Sequence, residues 1–194
     1  MKSFKFLPDE WQFGTVKIKW QEMARLKSLH QTYVTTTAQL EIIGSLLGQT
    51  DFPEHHLRQF IEHVCGWGCY QGIAGRVLQS NPIDKIQKAF RCAWAASDAE
   101  KAMRSLKQIK GFGVSFASKH LRMLRPEVYG VLDSILWNVG GEIGTLHKPE
   151  SYGAFCRGLT LVAKKYKETE WGSQESLWRV ADVEMALFAK CRWT

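Results

Sequence analysis

An aspartate, a lysine and two glycines are the residues of this chain whose types and spacing can do chemistry. Asp133 follows the apolar run 128–132 and precedes Ile135, Leu136 and Trp137, the placement of a helix N-cap, which aspartate favours. The helix dipole favours a negative charge there. A fixed negative charge suits the stabilisation of a developing sugar cation, or the orientation of a water. Gly111 and Gly113 break an apolar-striped segment within three residues. Each can take a positive φ, and without side chains each lets a backbone or a phosphate come close. Amides of such a turn at a helix N-terminus form an anion site. The backbones of Gly111, Gly113 and Val114, with Lys110 and Arg122 as flanking cations, are therefore the expected DNA contacts. Ser115, Lys119 and Arg122 fall at i, i+4 and i+7 on one face of the next helix. Lys119 can make polar contacts to a base or a phosphate. Desolvated, it can instead have a lowered pKa and act as an amine nucleophile.

These groups need a helical frame, and the flanking sequence supplies one. Ser97 and Glu100 are spaced as a capping box, and Ala102, Leu106 and Ile109 give a helical stripe. A second helix over 114–125 buries Val114, Ala117, Leu121 and Leu124 and ends at Pro126. Over 101–126 there are seven basic residues and no acidic one. The bland alternative is an ordinary helical hairpin with a solvated basic face.

The rest of the chain reads as helices. Residues 1–14 look irregular, and 15–29 form a helix with Trp20, Met23 and Leu26 on one stripe. Thr36 and Gln39 offer another capping box before a buried helix ending at 48–51. Further helices cover 54–64, 83–95, 152–166 and 174–190, while 65–79 is glycine-broken, 139–151 a loop and 168–173 a polar linker. No strand pattern, internal repeat or low-complexity segment stands out. The expected fold is all-α, with a terminal lobe (1–35 and 139–194), a core lobe (36–138) carrying the hairpin (98–125), and a DNA-binding cleft between them.

Composition narrows the partners. Among 194 residues, 45% are hydrophobic and the formal charge is +7. That charge favours a polyanion. No apolar run approaches the ~20 residues of a membrane span, and the N-terminal residues lack a signal peptide's apolar core. Five cysteines without framework spacing point to a reducing cytoplasm. His63, Cys65 and Cys69 do not have the spacing of a zinc ribbon or finger, so no metal and no cofactor is expected. His120 reads as a phosphate contact or a solvated residue. A monomer on double-stranded DNA, associated with the nucleoid, is the expectation.

IKGFGVSFASKHL followed by PEVYGVLDSILW resembles the helix-hairpin-helix DNA glycosylases, and within them the 8-oxoguanine glycosylase branch. The resemblance covers about 97–138 and 176–192 and is looser over 36–95. It implies base excision with Asp133 as the catalytic carboxylate. It places Phe188 against a flipped base, Glu184 at the base's pairing edge and Trp137 in the same pocket. LLGQTD makes Gln49 a wedge in the duplex. The family's usual N-terminal sheet domain is not expected, because too few residues precede the helical core, and the four closely spaced cysteines of its iron–sulfur relatives are not present in the sequence. Ser115 stands where bifunctional members carry a Schiff-base lysine, which implies hydrolysis without strand cleavage unless Lys119 substitutes.

Such enzymes act on a base taken out of the stack. An ionised Glu184 only accepts hydrogen bonds and so fits guanine's two donors, making an oxidised guanine the first expectation. A cytosine edge needs a protonated glutamate or a different register. A hypermodified (hydroxymethylated or glucosylated) cytosine of phage DNA, removed in defence, is the second. Two non-enzyme readings remain: a helix-hairpin-helix module that only binds DNA, and a helical protein-interaction domain.

Overall fold

The computed structural model describes residues 4–140, 147–174 and 176–194. It is mostly helical, compatible with the all-α expectation, but the N-terminal residues expected to be an irregular arm and the start of a helix form three short strands instead. β1 (Phe4–Phe6), β2 (Glu10–Phe13) and β3 (Val16–Lys19) form an antiparallel sheet in the order β1-β2-β3. Trp11 lies opposite Ile18, and Phe13 lies opposite Phe4 and Val16. Trp11, Phe13 and Ile18 face inward and are fully buried. This period of two is short, and it is interrupted at Gly14 and Thr15, so it reads as an irregular arm followed by a helix. Gly14 has φ +57, and a Cβ there would overlap the Val139 carbonyl. The adjoining Thr15 N–H donates to that same carbonyl at 3.0 Å. Only glycine lets the hairpin dock so closely.

A 3-10 turn (Trp20–Glu22) leads into α1 (Met23–Tyr33), α2 (Thr37–Gln49), α3 (Glu54–Trp67), α4 (Gln71–Ser80) and α5 (Ile83–Trp94). Then come α6 (Ala99–Leu106), α7 (Val114–Leu124), α8 (Ser134–Gly140), α9 (Pro149–Lys167), α10 (Glu170–Ser173) and α11 (Val180–Trp193). The expected helix over 15–29 therefore starts at Met23, and the one over 174–190 at Val180. Part of the expected loop 139–151 lies outside the described residues, and the polar linker after α9 folds into α10.

The caps differ from the expected ones. Asp98, rather than Ser97, caps α6 by accepting from the Lys101 N–H at 2.9 Å. Glu100 instead pairs with Arg104. Thr36 caps α2 without a side-chain hydrogen bond. Arg179 caps α11, and Asp182 accepts from its N–H at 2.9 Å.

The apolar core is one continuous cluster from Trp11 to Ala189. α1 packs on α11, α6 on α9, and α2 on α7. α2 and α7 approach closely at Gly44, where a Cβ would strike the Met123 carbonyl. No helix among the described residues is long and apolar enough to cross a membrane. The five cysteines are all free thiols.

Candidate active site

α7 brings the first two groups together. Its N-terminal turn leaves early amides without intrahelical acceptors, and Gly113 is its N-cap. One turn apart on this helix, the Lys119 Nζ donates to the Ser115 Oγ at 3.0 Å. The same amine lies 3.7 Å from Asp133 Oδ2. Its stem packs against Gly68, where a Cβ would come within 3.0 Å of Lys119 Cδ. Burial lowers the Lys119 pKa, and the charges of Asp133 and Glu184 oppose that drop.

Asp133 is held at both ends. Its Oδ1 accepts from the Ile135 and Leu136 N–H groups at 3.1 and 3.4 Å, which makes it the N-cap of α8 that the sequence predicts. Just before it, the Leu132 N–H donates to the Ser118 hydroxyl of α7 at 3.0 Å. The Tyr152 hydroxyl donates to the Gly130 carbonyl at 3.0 Å. The segment entering Asp133 is thus tied to α7 and α9, leaving Oδ2 toward Lys119.

Both groups line a cavity of about 440 Å³ with Ser115, Glu184 and Phe188. Five of the expected site residues meet there. Glu184 is nearly inaccessible, and Arg122 Nε donates to its Oε2 at 3.3 Å. Burial pushes its pKa up to about 7; Arg122 and the Val131 N–H pull it down, and Asp133 adds to the rise.

Other expected residues do not join. Arg122 is fully buried, bridging Glu184 and Glu41, with Nη1 2.9 Å from Glu41 Oε1. It is an internal counter-ion rather than a DNA contact, because α2 and α11 close over that face of α7. Trp137 is not among the cavity's residues; its ring centroid lies 4.4 Å from that of His147. Gln49 ends α2 and bonds to Ser45. The other end of that helix holds the cavity's Trp67, whose Nε1 donates to Thr37 Oγ1 at 3.1 Å. Twelve residues at 1.5 Å each put Gln49 about 18 Å away along the axis.

In the glycine turn, Val114 is buried and offers only its backbone. Of the two glycines only Gly111 uses a positive φ, at +99, and the Cβ position of Gly113 faces open space. His120 corrects another expectation: it is fully buried, 4.6 Å from the Phe112 ring. Burial lowers its pKa to about 4.

The cavity also takes His30, Trp67, Tyr70, Arg192 and Trp193, which sequence reasoning did not single out. A signal existed for Arg192, since Glu184, Phe188 and Arg192 fall at i, i+4 and i+8 on α11. Tyr70 is 64% exposed and follows Cys69, which holds a left-handed φ of +64. A wider groove of about 980 Å³ lies between the β1–β2 turn and α10, lined by Asp9, Glu10, Glu168 and Glu170. Four carboxylates against the single lining cation Lys19 give it a surface that disfavours phosphate. Among the described residues, no three His, Cys, Asp or Glu side chains cluster to hold a metal.

The chain matches no known protein-family model, no characterised protein and no solved structure.

Proposed function

We propose that the protein is a DNA glycosylase that takes a modified base out of the duplex and hydrolyses its N-glycosidic bond. One observation carries this reading: Asp133 and Lys119 stand 3.7 Å apart on the wall of a cavity that also holds Phe188 and Trp193. Aromatic faces suit a planar base. The carboxylate suits a sugar that gains positive charge as the bond breaks. In the proposed reaction the bonding pair leaves with the base, a water oxygen adds to the anomeric carbon, and Asp133 accepts the water's proton. Lys119 orients that carboxylate and contacts the base, so the product is an abasic site in an intact strand. The turn at Gly111 and Gly113 grips the backbone, Lys110 supplies charge, and Tyr70 offers a stacking face at the mouth.

The substrate favoured is an oxidised guanine, whose two donors face the Glu184 carboxylate. One observation supports the second reading, a hypermodified cytosine of phage DNA. The Glu184 pKa of about 7 makes the protonated form available, and that form donates to one cytosine acceptor while accepting from its amino group. Mass spectrometry of bases liberated from oxidised-guanine duplex and from hypermodified phage DNA tests both. Asp133→Asn serves as control. Binding without any base release reduces the protein to a DNA-binding module, and the absence of salt-dependent binding removes DNA altogether.

A further inference from the structure

We propose that Asn81 is the positioning residue of the glycine turn, and that its carboxamide aims the backbone amides that meet a DNA phosphate. This rests on reading that turn as the DNA grip. Asn81 follows α4 and is almost fully buried. Its Oδ1 accepts from the Lys110 N–H at 2.9 Å, and its Nδ2 donates to the Lys110 carbonyl at 2.9 Å. The second Nδ2 hydrogen goes to the Val77 carbonyl at 2.8 Å. The side chain therefore pairs with Lys110 as a neighbouring strand would, 29 residues away in sequence.

The turn needs such a fixture. Between α6 and α7 it is held by single-turn bonds such as Phe112 N–H to the Ile109 carbonyl at 3.1 Å. Gly111 adds a conformation open mainly to glycine. Pinning both the N–H and the carbonyl of Lys110 fixes the peptides on either side of it. Gly111 also packs on Val77, whose Cγ2 lies 3.0 Å from the position a Cβ would take. The end of α4 thus sets where the amides at Gly113 and the start of α7 point, while Asn81 itself touches no ligand.

The test compares wild type with Asn81→Ala and with Asn81→Asp, which keeps the acceptor and removes both donations. Amide hydrogen exchange in the free protein should quicken over residues 110–114 in both variants, with far-UV dichroism preserved. Duplex affinity should fall in Asn81→Ala while the salt slope stays close to that of wild type, because a neutral amide neutralises no phosphate charge. In turnover the loss should fall on KM rather than on kcat. Unchanged exchange over 110–114, or unchanged affinity, overturns the proposal. If wild type binds duplex but frees no base, the glycosylase reading fails while the binding comparison still decides the role of Asn81. If wild type binds no duplex, the proposal falls together with the grip, and exchange alone reports whether Asn81 holds the turn.

Discussion

The Lys119 amine lies 3.7 Å from the Asp133 carboxylate and donates to the Ser115 hydroxyl at 3.0 Å. The three residues come from α7 and the start of α8, so the amine stands one helical turn beyond the serine and faces the carboxylate. Glu184 closes the same cavity from α11. Charge, hydrogen-bond donor and aromatic face are brought together by three helices that share the apolar core and the buried Arg122–Glu184 ion pair.

Asp133→Asn separates capping from chemistry. Asparagine caps a helix about as well as aspartate, so any loss of stability should come from the broken ion pair with Lys119 and not from the cap. Base release under single-turnover conditions should drop about 100-fold or more, the scale of one lost charge-stabilising group. Full activity in this variant removes the carboxylate from the reaction.

Lys119 should not form a covalent intermediate. Its amine already donates to the Ser115 hydroxyl and faces the Asp133 carboxylate, so it is expected to act as a hydrogen-bond donor. Borohydride added during turnover should trap no enzyme–DNA adduct. Lys119→Ala should slow base release roughly tenfold, the scale of a charge-assisted hydrogen bond worth ~1.5 kcal/mol. An adduct that disappears in Lys119→Ala makes the amine the nucleophile and adds strand cleavage.

How much of this is legible in the sequence depends on the range of the interaction. The capping aspartate, the broken turn and the i, i+4 pair of Ser115 and Lys119 are local, and the structure has them where the spacing puts them. Arg122 looks like Lys119 in the sequence, a cation on the same face. Only the packing of α2 and α11, which brings Glu41 and Glu184 to it, makes it internal. The strands at 4–19 escape a reading by periodicity because each spans four residues or fewer and their pairing partner lies across a turn. Trp67 and Tyr70 enter the cavity through a glycine-broken corner that carries no periodicity.

Arg122→Met should be costly to the fold and nearly silent in DNA binding. It leaves the buried Glu184 without its counter-ion, while Glu41 keeps Arg179 at 2.7 Å, and breaking a buried pair costs about 3–5 kcal/mol. A Tm lower by about 10 °C follows for a chain of this size, while the salt slope of DNA binding should stay as in wild type. A reduced slope would return Arg122 to the phosphate contacts.

His120 makes stability depend on pH. Its folded pKa of about 4 lies below the ordinary 6.5, so the unfolded chain takes up the proton first. Its contribution is complete above pH 6.5 and is lost as pH falls toward 4, the loss amounting to about 2 kcal/mol at pH 5. His30 has the same direction, and Glu184, with its raised pKa, works against both between pH 7 and 4.5. His120→Leu should be near neutral at pH 7.5. It should flatten the fall of Tm between pH 6.5 and 5, measured by calorimetry. Parallel curves would show that His120 is not the titrating group.

The two glycines of the turn should respond differently to alanine. At Gly111 the φ of +99 and the contact with Val77 both oppose a side chain, and the strain is of order 1–3 kcal/mol. Gly111→Ala should therefore lower Tm. Gly113 has an ordinary φ of −81, and nothing lies within 4 Å of its Cβ position. Gly113→Ala should leave stability within about 1 kcal/mol of wild type, the less flexible unfolded chain offsetting a poorer N-cap. Its methyl group would project into the space where a phosphate must approach the α7 amides. Duplex affinity should fall while Tm stays close to that of wild type, as read by anisotropy and thermal melting on the same preparation. If Gly113→Ala binds duplex as tightly as wild type, the amides behind it are not the grip, and Lys110 and its neighbours hold the strand by charge alone.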